Sequence, residues 1–368
     1  MPIWALTRVP RFHISIASSL YTFSSPLSTT VGFRCVFPAK CRTMFWRIFH
    51  KSDILRYNPP SVQDGSWALI TGASDGIGKG IARELLSHGF NVILHGRNAS
   101  KLDGVRAELV AGNASSNQKV ETWAWDATTP LQPGAVNLAE ELLRVVSDRR
   151  LTVLVNNCGF SSTYHSFNMQ DPVEIDRILT LQIGFATQLT RILIPVMCDH
   201  PSLILNISGL TAAYPCPLLA VHSGGKAYIR AWSRALSLEL RMPPEENDHQ
   251  DVDSESPTSS TTNPKAQNKL TPTRNLIEVL AIDVHNVASN SNHSSPSFFT
   301  PDSETMARAI IGVVGCGRLE VTAYWRAELM SKTLSLLPRS MVDNMLVQEM
   351  VKMRSIERQK ESNAAKAV

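Results

Sequence analysis

The chain has 368 residues, 43% of them hydrophobic and 18% charged, and carries a net charge of +4 at pH 7. Residues 1–52 hold seven Lys or Arg and no Asp or Glu, so residues 53–368 are net −3. This balance excludes a basic nucleic-acid-binding domain, and we predict no nucleic-acid partner. The six cysteines lack metal-ligand spacing, so neither a metal site nor a disulfide framework is predicted.

The leader, residues 1–52, is basic, acid-free and rich in Ser and Thr, which is typical of a mitochondrial targeting segment. We therefore predict a mitochondrial location, with the endoplasmic reticulum membrane surface or the cytoplasm as alternatives. A start at Met44 would make most of this stretch an untranslated leader, and both readings leave it outside the fold. Residues 14–37 are too interrupted to predict a spanning helix, whereas residues 44–49 predict peripheral membrane contact.

Strand and helix patterns alternate from Trp67 onward. The predicted strands are 67–71, 91–95, 120–124, 152–156, 203–207, 277–283 and 318–324. The predicted helices are 77–88, 99–111, 135–148, 173–199, 222–241 and 303–313. This order predicts an α/β fold with a doubly wound parallel sheet, a Rossmann fold, in a single domain over residues 53–326.

Two segments depart from the alternation. Residues 243–275 are rich in Ser, Thr, Pro and Asn without strong periodicity, so we predict a disordered surface insertion. Residues 327–368 are predicted to form C-terminal helices, over 327–337 and 341–353, that pack on the domain or on another subunit.

A glycine-rich turn joins the first strand to the first helix. Gly72 allows a tight turn, Gly76 allows close approach of the backbone to a pyrophosphate, and Gly78 allows close helix packing. The helix N-terminus adds free N–H donors for the phosphates. The predicted nucleotide-binding residues of this turn are Gly72, Ser74, Asp75, Gly76, Ile77 and Gly78.

Three motifs in chain order resemble the short-chain dehydrogenase/reductase family: the TGxxxGxG pattern of residues 71–78, Asn156-Asn157-Cys158-Gly159, and the downstream Lys226. The resemblance runs from Trp67 to about Val287. It is strongest toward the 17β-hydroxysteroid dehydrogenase and very-long-chain 3-oxoacyl-CoA reductase branch, through WALITGASDGIGKGIARELLSHGFNVILHGRN, YPCPLLAVHSGGKAYIRAWSRALSLELR and LLPRSMVDNM. Members of that branch usually begin with a membrane anchor, and family members generally form homo-oligomers through helices.

The cofactor prediction is NADP. Arg97 follows the second strand, where a carboxylate would bind the ribose of NAD and an Arg would bind a 2′-phosphate. Lys79 and Lys101 lie close to Arg97 in sequence, and the alternative is that Arg97 is a solvated loop residue. The family resemblance implies that Asp126 contacts the adenine, and that Asn157 and Lys226 lie beside the cofactor.

The catalytic positions implied by the resemblance are altered. The family uses an Asn-Ser-Tyr-Lys set, and this chain places Gln182, Gly209, His222 and Lys226 at those positions. The i, i+4 spacing puts His222 and Lys226 on one helix face, and a neutral imidazole N–H can polarise a carbonyl. The alternative is that His222 is only a helix residue.

Several other side chains are candidate replacement donors. Ser208 is an imperfect substitute for the missing serine because adjacent strand residues face opposite sides, and Tyr228 should face away from His222. Four loop residues stay open as contributors: Thr211, Tyr214, Tyr164 and His165.

We therefore expect an NADP-dependent oxidoreductase that interconverts a ketone and an alcohol on an apolar lipid, steroid or polyketide-like substrate. The alternative is a catalytically inactive homologue that binds the nucleotide and serves as a binding or regulatory partner. The altered Ser and Tyr positions support this second reading.

Overall fold

The computed structural model describes residues 46–47, 50–113, 117–129, 137–160, 163–242, 276–289 and 295–366. The predicted insertion at 243–275 and nearly all of the leader lie outside these residues. The chain divides into two units, Met1–Trp46 and Arg47–Val368. Only Trp46 of the first unit is described.

Seven parallel strands form one sheet in the order β3-β2-β1-β4-β5-β6-β7. The strands are β1 (Trp67–Thr71), β2 (Asn91–Gly96), β3 (Val120–Ala124), β4 (Leu151–Asn156), β5 (Ser202–Gly209), β6 (Ile277–Val284) and β7 (Glu320–Thr322). Each pair is in parallel register, for example Leu69 with Ile93 and with Leu154. The strand order reverses direction between β1 and β4, which is where ligands bind in doubly wound folds.

Nine α-helices belong to the described part of the chain. They are α1 (Gly76–Ser87), α2 (Ala99–Gly112), α3 (Leu138–Val146), α4 (Pro172–Leu179), α5 (Ala186–Met197), α6 (Ala220–Glu239), α7 (Ser303–Gly312), α8 (Trp325–Leu336) and α9 (Arg339–Lys366). A π-helical turn, Thr180–Phe185, joins α4 to α5 without a break. The doubly wound Rossmann fold that the sequence predicts is confirmed.

The core follows from strands that are apolar on both faces. Every residue of β1, β2, β4 and β5 is buried, as in parallel sheets covered by helices on both sides. On one face, Leu69 and Leu154 belong to the same cluster as Phe185, Leu189 and Leu193 of the central helix. The sheet is therefore a rigid support for the loops at its carboxyl edge.

The continuous helix Pro172–Met197 is long and apolar enough, by length and composition, to cross a membrane, with a mean hydropathy of 1.2. Its residues Phe185, Leu189 and Leu193 are buried in the core cluster. A core helix can have the same composition, and 39% of the most apolar window of this helix is buried.

The compact unit begins six residues before the domain boundary at 53 that we predicted. Arg47 donates to the carbonyl of Ala323 at 2.8 Å and pairs with Glu328 at 2.8 Å. Ser52 bonds the carbonyl of Ile311, and His50 lies 3.0 Å from the carbonyl of Val314. From sequence, Arg47, His50 and Ser52 are assigned to the leader because of its basic composition. In the structure their side chains form hydrogen bonds with the domain.

Candidate active site

The turn after β1 needs glycine at three positions, two for their backbone angles and one for lack of space. Gly72 and Gly76 have φ angles of +66° and +57°, a region that side chains with a β-carbon rarely adopt. A β-carbon on Gly78 would collide with the carbonyl oxygen of Gly72. Asp75 caps α1 by accepting from the amide of Gly76 at 2.8 Å. Together these contacts leave the first turn of α1 against the strand end with a partial positive charge.

Asn157 holds this turn in place. Its Nδ2 donates to the carbonyl oxygens of Thr71 at 3.0 Å and Gly72 at 3.3 Å. The Thr71 hydroxyl in turn accepts from the amides of Asn157 at 2.9 Å and Cys158 at 3.1 Å. Asn157 therefore fastens the end of β4 to the glycine turn and shapes the place where a cofactor would lie.

Arg97 lies exposed directly after β2. A β-carbon on the preceding Gly96 would lie 3.5 Å from Ser74 Cβ, so this strand end closely approaches the glycine turn. Lys101 is exposed in the first turn of α2, and its amide is capped by Asn98 at 2.9 Å. The structure thus brings Arg97 and Ser74 to one corner of the sheet edge.

Asp126 follows β3 at the same edge and accepts from the Thr128 amide at 3.0 Å and hydroxyl at 2.8 Å. Burial raises the pKa of Asp126, but the bonds from Thr128 and the charge of Arg97 outweigh burial and lower it overall. The carboxylate is thus ionised and fixed at neutral pH.

Lys79 is engaged away from Arg97. Its Nζ pairs with Glu108 at 2.5 Å, on the rim of a cleft of about 510 Å³ between α1, α2 and α7. The cleft is lined by Asp75, Gly76, Lys79, Gly80, Arg83, Glu108, Ala288, Ser289, Asp302, Ser303, Glu304 and Arg308. None of the predicted catalytic residues lines it, so this charged groove is not the reaction site.

Gln182, His222 and the carbonyl of Phe160 form a compact triangle. Gln182 Nε2 lies 3.0 Å from Phe160 O and 2.9 Å from His222 Nδ1, and His222 Nδ1 lies 3.2 Å from Phe160 O. Gln182 is buried in the π-helical turn, at 2% exposure, while His222 lies in the first turn of α6. Two residues that are forty positions apart are therefore joined directly.

The distances in the triangle favour one tautomer of His222. His222 Nδ1 is closer to Gln182 Nε2, at 2.9 Å, than to Phe160 O, at 3.2 Å. A hydrogen on Nδ1 would therefore face the amide hydrogens of Gln182, which is unfavourable. With Nδ1 as acceptor, Gln182 uses one hydrogen for Phe160 O and the other for the ring. The ring hydrogen then lies on Nε2, which has no protein hydrogen bond within the described ranges. Burial, and to a smaller extent Lys226, lowers the pKa of His222 to about 4, so the ring is neutral.

Lys226 lies one turn further along α6 and is buried. Its Nζ donates to the carbonyl of Ile207 at 2.9 Å and lies 3.6 Å from the point of a β-carbon on Gly159. Burial lowers the pKa of Lys226 to about 8, against the opposing charges of Asp283 and Cys158. Lys226 therefore keeps its proton at neutral pH and loses it in mild alkali.

Asp283 is the acidic neighbour of this lysine at the end of β6. Burial raises the pKa of Asp283 to about 6, although Arg230, 3.5 Å away, opposes the shift. Arg230 also pairs with Glu320 at 2.6 Å. A partly buried network of charges, Asp283 with Arg230 and Glu320, thus lies near Lys226.

Three of the residues weighed as donors are engaged elsewhere. Ser208 is fully buried and donates to the backbone carbonyl of Lys226 at 3.0 Å, as strand alternation predicts. The Tyr228 hydroxyl lies 3.0 Å from the Thr187 hydroxyl, away from His222 as predicted. The Tyr214 hydroxyl donates to the carbonyl of Ser331 at 3.2 Å.

The C-terminal helices contact the loops that flank His222, which the sequence patterns did not indicate. The amide of Tyr164 donates to Glu357 of α9 at 2.9 Å, and Arg354 donates to Ser166 at 3.2 Å. With the bond from Tyr214 to α8, these contacts make α8 and α9 a wall beside the site. His165 is exposed and lies 2.8 Å from the Thr163 hydroxyl.

Comparison with known proteins is consistent with this geometry. The family model described as short chain dehydrogenase matches residues 66–243. A very-long-chain 3-oxoacyl-CoA reductase of Candida albicans is 34% identical over 232 residues, which are 59% of this chain and 62% of that protein. The reductase of the same description from Anas platyrhynchos is 29% identical, over 77% of this chain and 79% of that protein.

Among solved structures, a short-chain dehydrogenase from Sphingobium yanoikuyae in complex with NADPH superposes with a TM-score of 0.55. It is 21% identical, and the match covers 73% of this chain and 92% of that chain. This likeness concerns the fold. The chain spans less than two thirds of the length of the Candida albicans relative. The family match over residues 66–243 and the curated relatives show that this chain is similar to short-chain dehydrogenases/reductases, and among them to very-long-chain 3-oxoacyl-CoA reductases.

Proposed function

We propose that this protein is an NADP-dependent oxidoreductase that reduces the ketone of an apolar substrate, with His222 and Lys226 as its reacting side chains. The observation that carries the proposal is the Gln182–His222 bond of 2.9 Å, one helical turn before Lys226. It gives the ring a fixed orientation at the position where the family uses a tyrosine.

The nucleotide would lie across the glycine turn, with its phosphates at the N-terminus of α1 and a 2′-phosphate at Arg97. The family match and the NADPH complex of the Sphingobium yanoikuyae protein support a nicotinamide cofactor. The choice of NADP over NAD rests on Arg97 and on the lack of a carboxylate at that position. Bound nicotinamide would supply the hydride that adds to the carbonyl carbon.

His222 and Lys226 would act on the carbonyl oxygen in two different ways. A neutral imidazole is a hydrogen-bond donor and a very weak acid, so the Nε2–H of His222 would polarise the carbonyl oxygen. Lys226 is the group that carries a transferable proton at neutral pH, because its pKa is about 8. Its ammonium would stabilise the developing alkoxide and then protonate it to the alcohol, and solvent would restore the proton.

An apolar substrate is supported by the loops around this site. Phe160, whose carbonyl completes the triangle, is 38% exposed, and Phe167 and Met169 are 63% and 70% exposed on the following loop. Gln170 ties that loop to the carbonyl of Leu218 at 3.0 Å. The relatives described as very-long-chain 3-oxoacyl-CoA reductases favour a fatty 3-oxoacyl thioester. Peripheral membrane contact and homo-oligomerisation remain part of this proposal.

The test is oxidation of NADPH with 3-oxododecanoyl-CoA, a steroid ketone and a small polar ketone as probes. We expect turnover with the apolar probes, and a loss of roughly 100-fold in kcat/KM for His222→Phe because one oriented donor is removed. His165→Phe is the matched control, since His165 is an exposed loop histidine bonded to Thr163. Equal losses in both variants would overturn the role of His222.

A second function is favoured by two observations: Gly209 provides no hydroxyl, and Lys226 Nζ is bound to the carbonyl of Ile207. We therefore keep the inactive nucleotide-binding homologue as the competing proposal. It is supported if the protein binds NADPH but oxidises it with none of the three probes.

A further inference from the structure

The position of the missing serine is closely surrounded. Gly209 has an extended backbone, with φ −167°, at the end of β5. A β-carbon built there would lie 3.7 Å from Thr211 Oγ1 and 3.9 Å from Lys226 Cγ. Its nearest neighbour would be the carbonyl oxygen of Val284, at 3.4 Å. The hydroxyl of Thr211 thus lies beside the place where the family carries its serine side chain.

Thr211 Oγ1 is also unusual in its own right. It is buried and has no hydrogen-bond partner within the described part of the chain. Buried hydroxyls in folded proteins almost always have a partner, and an exception in a native structure needs a reason. Three other hydroxyls near the site, those of Ser208, Tyr214 and Tyr228, are already paired.

We propose that the hydroxyl of Thr211 replaces the missing serine and donates the second hydrogen bond to the carbonyl oxygen of the substrate. The inference rests on the proposed function and deepens it. Thr211 lies in the 3-10 turn Leu210–Ala212 that follows β5, two residues after Gly209. A β-carbon on Gly209 would lie between the Thr211 hydroxyl and the stem of Lys226, 3.7 Å from the one and 3.9 Å from the other. With His222, it completes a pair of donors for the developing negative charge.

The variants separate a catalytic from a structural hydroxyl. Thr211→Val keeps the shape and removes an unpartnered group, so its melting temperature should equal or exceed that of the wild type. Its kcat/KM for 3-oxododecanoyl-CoA should fall roughly 100-fold, mostly in kcat, with NADPH affinity unchanged. Thr211→Ser should keep activity within a few-fold. Adding Gly209→Ser to Thr211→Val should restore it, because a side chain on Gly209 makes only ordinary contacts.

Thr187→Val is the matched control. It removes a hydroxyl that is bonded to Tyr228 on the other side of α6, so it should lower stability and leave kcat/KM unchanged. Unchanged kcat/KM in Thr211→Val, or a loss that neither Thr211→Ser nor Gly209→Ser relieves, would overturn the inference.

A second readout does not require turnover. Infrared spectra of 2-dodecanone labelled with ¹³C at the carbonyl, bound together with NADP⁺, report hydrogen bonds to that carbonyl. We expect the C=O stretch to shift to higher frequency in Thr211→Val and not in Thr187→Val. Binding without turnover would overturn the proposed reductase, while the shift still decides the role of Thr211. A wild type that binds no ketone would overturn both.

Discussion

Gln182 Nε2 lies 2.9 Å from His222 Nδ1, and Gly225 provides the space in which the Gln182 side chain lies. A β-carbon on Gly225 would overlap Gln182 Oε1 and would lie 3.4 Å from Gln182 Cβ. The glutamine, the histidine and the glycine thus depend on one another. Gln182 and His222 both stand at altered positions of the family's catalytic set, and Gly225 makes room for the contact between them.

The first prediction concerns this glycine. Gly224→Ala should stabilise the protein by about 0.5–1 kcal/mol, because alanine favours helix and nothing lies within 4 Å of its β-carbon. Gly225→Ala should not be stabilised in this way, because its β-carbon displaces Gln182. His222 then loses its orientation, and kcat/KM should fall roughly 10-fold or more. Thermal melts, kinetics and the NMR tautomer signal of His222 measure these effects. Gln182→Asn should relieve the overlap in Gly225→Ala, and an unperturbed His222 in Gly225→Ala would contradict the account.

The second prediction is a pH profile. Lys226, with a pKa of about 8, is protonated below that pH and neutral above it, so kcat should fall as pH rises through 8. Asp283 raises the pKa of Lys226, so Asp283→Asn should move this alkaline limb to lower pH. His222 is neutral above its pKa of about 4, so it adds no acidic limb near neutrality. Asp103→Asn, on the exposed face of α2, should leave the profile in place.

The third prediction concerns the cofactor. Arg97→Ala should weaken NADPH binding by roughly 10- to 100-fold, the equivalent of one or two lost hydrogen bonds between charged groups, and leave NADH binding nearly unchanged. Fluorescence titration with both cofactors gives the ratio of affinities. Arg106→Ala is the control: it removes an exposed arginine of α2, away from the end of β2, and should change the affinity for neither cofactor. Equal affinity of the wild type for NADPH and NADH would show that Arg97 does not select the cofactor.

The fourth prediction compares two glycines in helices. Gly78→Ala should lower the melting temperature and NADPH affinity together, because its β-carbon would collide with the carbonyl oxygen of Gly72. Gly104→Ala, with nothing within 4 Å of its β-carbon, should be neutral or stabilising and bind NADPH normally. Identical melting curves for the two variants would mean that the turn has more room than its geometry indicates.

The sheet could be predicted from sequence because its signals are local. Continuous apolar runs predicted β1 to β6 within two residues of their ends, and the positions of Gly72 and Gly78 indicated the turn. The predicted last helix ends at 353, because residues 354–366 lack an apolar period. In the structure α9 continues to Lys366. This helix contacts the domain through polar bonds such as that between Glu357 and Tyr164, and such bonds produce no periodic pattern in the sequence.

The site was predicted in part. Spacing placed His222 and Lys226 one turn apart, and the structure keeps this arrangement. The bond from Gln182 to His222 spans forty residues and depends on the π-helical turn, which no local pattern encodes. Thr211 was one of four loop residues that the sequence left open, because only tertiary structure shows which hydroxyls have partners.

The central claim is that this chain transfers hydride to a ketone with His222 as a donor. The most direct measurement uses NADPH deuterated at C4 on either face, with 3-oxododecanoyl-CoA as acceptor and mass spectrometry of the product. The wild type should form a 3-hydroxyacyl product that carries one deuterium from one of the two labelled forms, and His222→Phe should form it roughly 100-fold more slowly at equal NADPH affinity. A wild type that binds both NADPH and the thioester, yet transfers no deuterium from either form, would contradict the account.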